Sequence, residues 1–326
     1  MAKIPTMQDI EATAYRINAH IIRTPLLQCA ALDAEAGGHF FLKAECLQRT
    51  GSFKIRGATN RLLRLSDTQR RKGVVAWSSG NHAQGVAAAA QLVGTTAKIV
   101  MPSDAPQAKI DGTKELGADI VFYDRATEDR EAIGHRIAED EGRVLVPSYD
   151  DADIISGQGT VGLEIVEQVN DLGVSLNEVL VPVSGGGLIA GVGLALKHHC
   201  PSARLYAVEP EGFDDHRRSV ASGQRETNPS ASGSLCDALL APSPGALTWA
   251  INQTQIDGGY AVNEEDVLSA MAFAHQHLKM KLEPGGAIAL AAALNGTHEC
   301  QGRNVAIILS GGNVDDVTFN RALTIP

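Results

Sequence analysis

The sequence lacks the features that mark several large classes of protein. It has no apolar run long enough to cross a bilayer, no secretory pattern at its amino terminus, and no CxxC spacing among its five scattered cysteines. An odd, dispersed set of cysteines is typical of reduced thiols, so we expect a cytoplasmic protein that is not membrane-bound. The net charge of −10 argues against a nucleic-acid surface.

What is present indicates a soluble globular protein with a bound ligand. The 326 residues are too many for one typical core and predict two domains. The hydrophobic share of 44% and the charged share of 20% are ordinary for such a protein. The 33 glycines cluster in short runs, which we interpret as loops close to a ligand.

Strands alternate with helices along most of the chain, which indicates βαβ units and parallel sheets. A helix is predicted over 8–22, another from Ser156 to about residue 170, and a third over 264–280, while 211–246 reads as largely irregular. The predicted strands are 39–43, 73–77, 97–101, 119–123, 143–146, 178–183, 204–208 and 305–309.

The stretch Thr50-Gly51-Ser52-Phe53-Lys54-Ile55-Arg56-Gly57 places one lysine between a tight turn and a helix start. Burial in a cleft would lower the pKa of Lys54, and a neutral amine can form a Schiff base. On this segment alone, an ordinary solvated helix lysine is an equally good interpretation.

Ser184-Gly185-Gly186-Gly187 follows a buried strand and precedes a helix. Successive glycines let backbone N–H groups converge on one anion, and the start of the helix adds positive charge. The loop matches neither a GxGxxG nor a Walker pattern, so a cofactor with a single phosphate fits better than a dinucleotide or ATP. A plain tight turn is the alternative.

Two further loops follow predicted strands. Ser78-Ser79-Gly80-Asn81-His82 offers hydroxyls, an amide and an imidazole at a helix start, which suits a carboxylate, although helix capping alone would require only one of them. Ser310-Gly311-Gly312-Asn313 offers a hydroxyl that could meet a ring nitrogen, or forms a simple turn. In an open α/β sheet, such loops meet at the carboxyl ends of the strands.

An acidic loop runs from Val208 to Asp215. Its carboxylates and intervening carbonyls suit a hard cation such as Mg²⁺ or Ca²⁺. From the sequence alone, a solvated acidic loop is the better interpretation.

Taken together, these loops resemble the fold type II pyridoxal-phosphate enzymes, and among them the threonine/serine dehydratase and serine racemase branch. The resemblance covers nearly the whole chain, and Gly157-Gln158-Gly159-Thr160 adds a further family motif. It implies an α/β fold of two domains, each an open, mostly parallel twisted sheet flanked by helices, with the active site in the cleft between them. We expect a large cofactor-binding domain at 1–46 plus 149–326 and a small domain at 47–148.

The resemblance also implies roles for single residues. Lys54 would hold pyridoxal 5'-phosphate as a Schiff base and then act as the base, and Ser79 would be a second acid/base on the opposite face. The cofactor would contact Phe53, Lys54, Asn81, Ser184, Gly185, Gly186, Gly187, Leu188, Glu283, Ser310 and Gly311. The substrate carboxylate would contact Ser78, Ser79, Asn81 and His82. A divalent cation (Mg²⁺, with Mn²⁺ or Ca²⁺ as alternatives) would contact Glu209, the carbonyl of Phe213 and Asp215.

The activity that this implies is β-elimination of water from L-threonine or L-serine, which yields a 2-oxo acid and ammonia. Ser79 leaves amino-acid racemisation open, because strict dehydratases of the family often carry alanine there. A 3-hydroxyaspartate dehydratase is a third alternative, with Arg49 or Arg130 as partners for the extra carboxylate. Ser234-Leu235-Cys236-Asp237-Ala238 departs from the family pattern near the substrate. A non-catalytic sensor would not require Lys54, and the family's habit predicts a homodimer.

Overall fold

The computed structural model describes residues 3–78, 80–230 and 232–325. The strands in these ranges are β1 Leu26–Gln28, β2 His39–Lys43, β3 Val74–Trp77, β4 Ala97–Pro102, β5 Asp119–Tyr123, β6 Val144–Leu145, β7 Glu178–Pro182, β8 Arg204–Pro210, β9 Gly258–Val262 and β10 Asn304–Ile308.

The helices lie between the strands and at both ends of the described chain. They are α1 Met7–Ile17, α2 Ala30–Ala36, α3 Lys54–Leu63, α4 Asp67–Lys72, α5 Asn81–Val93, α6 Gln107–Glu115, α7 Arg130–Glu141, α8 Ala152–Asp171, α9 Gly187–His199, α10 Asp215–Ser222, α11 Ala246–Asn252, α12 Glu264–Phe273, α13 Pro284–Leu294 and α14 Asp316–Leu323. Among the described helices, none is long and apolar enough to cross a membrane.

The strands form two sheets. The larger has six strands in the order β1-β2-β10-β7-β8-β9, and all neighbours are parallel except β1 with β2. The smaller has four parallel strands in the order β5-β4-β3-β6. Parallel strands joined by helices confirm the predicted α/β class with mostly parallel sheets.

Both faces of the larger sheet are buried, as parallel sheets require. Successive residues of β10 show how: Val305 and Ile307 pack into the cluster that contains α13, while Ala306 and Ile308 pack into the cluster that contains α8 and α9. The fully apolar sequence of this strand therefore reflects a central position with helices on both sides.

Glycines allow α8 to approach α3 closely. A Cβ on Gly157 would lie 2.4 Å from the Cα of Gly57, and the Gly57 N–H donates to Oε1 of Gln158 at 3.3 Å. The motif at 157–160 therefore fixes the helix that begins at Lys54. The predicted start of this long helix at Ser156 was wrong, because Asp151 accepts hydrogen bonds from the N–H groups of residues 153 and 154 and the helix begins at Ala152.

Two predicted helix ends and one segment predicted as irregular also differ from the structure. The first helix ends at Ile17 and not at residue 22, and the helix predicted over 264–280 ends at Phe273 and continues as a π turn over Ala274–Leu278. The segment 211–246, predicted as irregular, contains α10. The acidic and basic residues of α10 hid its helical periodicity, since little of it is apolar.

Candidate active site

A cavity of about 870 Å³ lies between the two sheets. Its walls come from the chain that follows β3, β5 and β6 on one side and β7 and β10 on the other, which is the carboxyl edge of both sheets. Of the predicted site residues, those that line it are Phe53, Lys54, Ser78, Asn81, His82, Ser184, Gly185, Gly186, Gly187, Leu188, Glu283 and Ser310. Residues from five separate stretches of sequence therefore share one space.

Lys54 begins α3 and extends its amine into this cavity. Its Nζ donates to the carbonyl of Ser148 at 2.9 Å and lies 5.2 Å from the centre of the Phe53 ring. Burial lowers the pKa of the Lys54 amine to about 8, and the negative charge of Glu283 only partly opposes this. About a tenth of the Lys54 amine is therefore neutral and nucleophilic at pH 7, and about half at pH 8.

The glycine loop between β7 and α9 lines the same cavity as Lys54. Gly186 has φ +93°, and a Cβ on Gly185 would lie 2.4 Å from the ring of Tyr149. Side chains larger than hydrogen are thus excluded at these positions. Helix α9 starts at Gly187, so its first N–H groups and its positive end lie at the loop.

The carbonyls of this loop are held from behind by α11. The Gly185 carbonyl accepts from the Thr248 hydroxyl at 2.6 Å, and the Gly186 carbonyl accepts from Nδ2 of Asn252 at 3.3 Å. Because a peptide unit is planar, fixing a carbonyl also fixes the N–H of the following residue on the opposite side. The loop is therefore preorganised to present N–H groups.

The loop at residues 78–82 starts α5, and Ser79 lies outside the described residues. Ser78, Asn81 and His82 line the cavity. Nε2 of His82 lies 3.0 Å from the carbonyl of Val146, so this nitrogen is the donor. Burial, and then the charge of Lys54, lower the pKa of His82 to about 3. The imidazole is neutral, and its Nδ1, an acceptor, is buried and has no hydrogen-bond partner among the described residues.

Asn81 joins the two sides of the cavity. Its Nδ2 donates to Oε1 of Glu283 at 2.5 Å, and its Oδ1 accepts from Asn313 at 2.8 Å. Burial raises the pKa of Glu283 to about 7 against the opposing charge of Lys109. Gly311 abuts this carboxyl, since a Cβ there would lie 2.1 Å from Oε1, and the Ser310 hydroxyl donates to the Gly285 carbonyl at 3.4 Å.

A family model for pyridoxal-phosphate dependent enzymes matches residues 17–311. The chain belongs to this family. Its residues fit the cofactor: a partly neutral lysine amine and a glycine loop at a helix start lie in one cavity.

Within the pyridoxal-phosphate-dependent family, the chain is similar to several enzymes that are named for their reactions. The chain is 42% identical to an L-threo-3-hydroxyaspartate ammonia-lyase from a Pseudomonas species, covering 96% of this chain and 97% of that one. It is 41% identical to an L-threonine ammonia-lyase from Thermotoga maritima, covering 98% of this chain and 78% of that one. The structure of maize serine racemase matches with a TM-score of 0.92 at 40% identity, covering 98% of this chain and 97% of that one.

A second polar cluster in this pyridoxal-phosphate-dependent enzyme lies behind the glycine loop. Glu209 and Asp215, two of the predicted cation ligands, are buried together with His216, and one ligand atom from each lies within 4.8 Å of the others. Phe213 is buried in the same segment. The sequence argument stopped at Asp215 and missed His216, although a histidine directly after two aspartates was a readable signal.

Other residues at the cofactor cavity were also missed. Ser148 and Tyr149 follow β6, and Lys109 pairs with Asp237 across the cavity. Ser148 contacts Lys54 through its backbone carbonyl, so the identity of its side chain gives no signal in the sequence. Lys109 and Asp237 are 128 residues apart, and only the fold brings them together.

The two arginines proposed for an extra carboxylate have different positions. Arg130 begins α7 and lines the cavity. Arg49 donates to the carbonyl of His20 and does not line it. Among the described residues, Arg130 has no carboxylate within salt-bridge distance, whereas Arg125 in the same wall is paired with Asp104 at 2.7 Å.

Proposed function

We propose that this protein is an ammonia-lyase that removes water from a small β-hydroxy amino acid and yields a 2-oxo acid and ammonia. The observation that carries the proposal is the Lys54 amine, partly neutral and aimed into a cavity that also contains a phosphate-type glycine loop. A binding protein would not require an activated amine there. The names of the two ammonia-lyases among the relatives above support the same class of reaction.

Pyridoxal phosphate, when bound, supplies the electron sink for breaking the bond to the Cα proton. In our proposal Lys54 holds the cofactor, Ser184, Gly185, Gly186, Gly187 and Leu188 receive its phosphate, and Phe53, Asn81, Glu283, Ser310 and Gly311 surround its ring. The Lys54 Nζ, once released, accepts the Cα proton. A neutral hydroxyl at Ser310 leaves the ring nitrogen without a charged partner, which favours prompt loss of the β-hydroxyl.

The substrate carboxylate is proposed to bind at the start of α5. Ser78, Asn81 and the N–H groups of the first turn are the donors, together with Ser79. His82 has a different role in this proposal, because its only N–H donates to the Val146 carbonyl and its neutral ring has no second N–H for a carboxylate. The His82 imidazole would orient a neighbouring hydroxyl or amide and would add no charge to this side of the cavity.

The substrate side chain is proposed to be that of L-threonine or L-serine. One observation favours 3-hydroxyaspartate as a second candidate: Arg130 lines the cavity without a carboxylate partner among the described residues. A second substrate carboxylate would supply that partner and gain a charge-assisted hydrogen bond. The two candidates share the elimination step and differ only in this contact.

The deciding experiment measures 2-oxo acid release from L-threonine, L-serine and both 3-hydroxyaspartate diastereomers by the cofactor-loaded enzyme. Lys54→Ala should abolish release from every substrate. Arg130→Met should reduce release from hydroxyaspartate alone by roughly 10- to 100-fold, as expected for a lost charged hydrogen bond. Arg136→Met, an exposed position on the same helix, is the matched control.

Full activity in Lys54→Ala would refute the proposal. If no substrate releases a 2-oxo acid while the cofactor is bound, chiral analysis of serine and aspartate would test racemisation, for which Ser79 is the proposed second acid/base. Ser79→Ala should then suppress racemisation and spare elimination from L-serine.

We further propose the domain limits 1–46 plus 149–326 and 47–148, because the six-stranded and four-stranded sheets divide the strands in that way. A divalent cation, Mg²⁺ or a similar ion, is proposed at Glu209, Asp215 and the carbonyl of Phe213. A cytoplasmic homodimer is proposed from the family resemblance and from five free cysteines.

A further inference from the structure

His216 lies at the join between the proposed cation site and the proposed phosphate loop. Its side chain is fully buried. Its Nδ1 is 3.6 Å from Oε1 of Glu209 and 3.5 Å from Oδ2 of Asp215. Its Nε2 is 3.2 Å from Nδ2 of Asn252, and a Cβ on Gly186 would lie 2.5 Å from the same nitrogen. One imidazole thus contacts both sites.

The contacts of this imidazole with Glu209 and Asp215 are ion-pair contacts longer than ordinary hydrogen bonds, and several polar atoms around it make no hydrogen bond. Oδ2 of Asp215, Nδ1 of His216 and Oδ1 of Asn252 are all buried and make no hydrogen bond within the described part of the chain. Buried polar atoms without partners are rare in folded proteins, because each loses its hydrogen bonds to water. Oδ2 of Asp215 and Nδ1 of His216 lie 3.5 Å apart in the small space between the two carboxylates. Electron-pair donors gathered in this way fit a positively charged ion.

The donor set fits a divalent cation. Glu209 accepts from the backbone N–H groups of His216 and Arg217 at 2.9 and 2.8 Å, and Asp215 accepts from Asn228 at 2.6 Å through its other oxygen. Each of these oxygens has a second lone pair, so both carboxylates remain free to bind a cation while the protein holds them in place.

We propose that His216 binds this cation through Nδ1, as a third side-chain ligand beside Glu209 and Asp215, and thereby ties cation binding to the phosphate loop. A nitrogen ligand distinguishes the site from an all-oxygen one, because imidazole binds first-row transition metals better than it binds Mg²⁺ or Ca²⁺. The site should therefore prefer Mn²⁺ to Mg²⁺. The inference rests on the proposed cation site and not on the proposed substrate.

The link to the loop follows from the tautomer. A histidine that binds a metal through Nδ1 carries its proton on Nε2. That proton faces Asn252, whose unpartnered Oδ1 can accept it after the amide turns over. The turn changes the hydrogen bond from Asn252 to the Gly186 carbonyl, and with it the orientation of the Gly187 N–H in the same peptide unit. Cation binding therefore changes the backbone N–H groups that receive the phosphate.

The test uses the cofactor-loaded enzyme with Mn²⁺ as the probe. Electron spin-echo modulation of bound Mn²⁺ should show nitrogen coupling from an imidazole in the wild type. The coupling should be lost in His216→Asn, and unchanged in His199→Asn, an exposed histidine. The preference for Mn²⁺ over Mg²⁺ should fall roughly tenfold in His216→Asn, the effect of losing one ligand contact of moderate strength.

The link to the loop has its own readout. Saturating Mg²⁺, which is diamagnetic, should shift the ³¹P resonance of the bound cofactor in the wild type and leave it unmoved in His216→Asn. Mn²⁺ that binds without nitrogen coupling would overturn the inference while the cation site stands. Mn²⁺ that does not bind at all would overturn both, and neither result would affect the substrate proposal. The wild-type spectrum decides the point even if the variant fails to fold.

Discussion

The pKa of Lys54 sets the pH range in which the enzyme can take up its cofactor. A shift of the Lys54 pKa from its ordinary value of 10.5 to about 8 raises the neutral fraction of this amine about 300-fold at pH 7. Only the neutral amine attacks an aldehyde. The rate of pyridoxal phosphate uptake by cofactor-free protein should therefore rise about tenfold between pH 7 and pH 9 and then level off.

Stopped-flow absorbance during cofactor uptake measures this midpoint. A rate that keeps rising about a hundredfold over the same range, as an unperturbed lysine would give, would refute the reasoning. Two variants sharpen the test. Glu283→Gln removes the charge that raises the pKa of Lys54, so its midpoint should move to lower pH. Lys114→Met removes an exposed lysine outside the cavity, which does not contribute to this shift, and should leave the midpoint unchanged.

Three further predictions concern stability and binding. Arg56→Ala leaves the buried carboxylate of Glu45 without its ionic partner at 2.8 Å, while Glu164 loses the pair at 2.7 Å but keeps Lys43; the change should lower the free energy of unfolding by about 3–5 kcal/mol in denaturant titrations. Arg23→Ala, in an exposed pair, should change it by less than about 1 kcal/mol. Gly185→Ala should weaken cofactor binding at least roughly tenfold by fluorescence titration because its methyl group meets the tyrosine ring, while Gly112→Ala, which meets only a flexible side chain, should not. Burial raises the pKa of Glu283 from 4.5 to about 7, so its cost to the stability of the cofactor-free protein grows as the pH rises between these two values and is complete above about pH 7. Glu283→Gln should therefore raise the melting temperature at pH 8.5 and have little effect at pH 4.5.

Much of the site was readable because each functional loop follows a strongly apolar strand. Ser184–Gly187 after β7 and Ser310 after β10 are such cases, and the carboxyl-edge rule alone brings them together. The resemblance added roles to residues that chemistry alone left ambiguous, such as Ser310.

The rest depended on contacts between distant parts of the chain. Thr248 and Asn252 orient the glycine loop from α11, a seven-residue helix that carries no cofactor motif. Strand β9 has a half-buried pattern and two glycines, so its sequence lacks the clear alternation of a strand. A local sequence pattern can predict a contact between residues that are close in the chain, but not one between residues that are far apart.

The central position of β10 has a consequence for how the protein is made. This strand pairs with β2 on one side and β7 on the other, so residues 39–43 cannot complete their sheet until residues 304–308 exist. The four strands at 74–145 are synthesised much earlier and need no later strand. On the ribosome, the smaller sheet can therefore close first while β2 waits with an unpaired edge, and that interval is when the nascent chain is most exposed to aggregation and most in need of a chaperone.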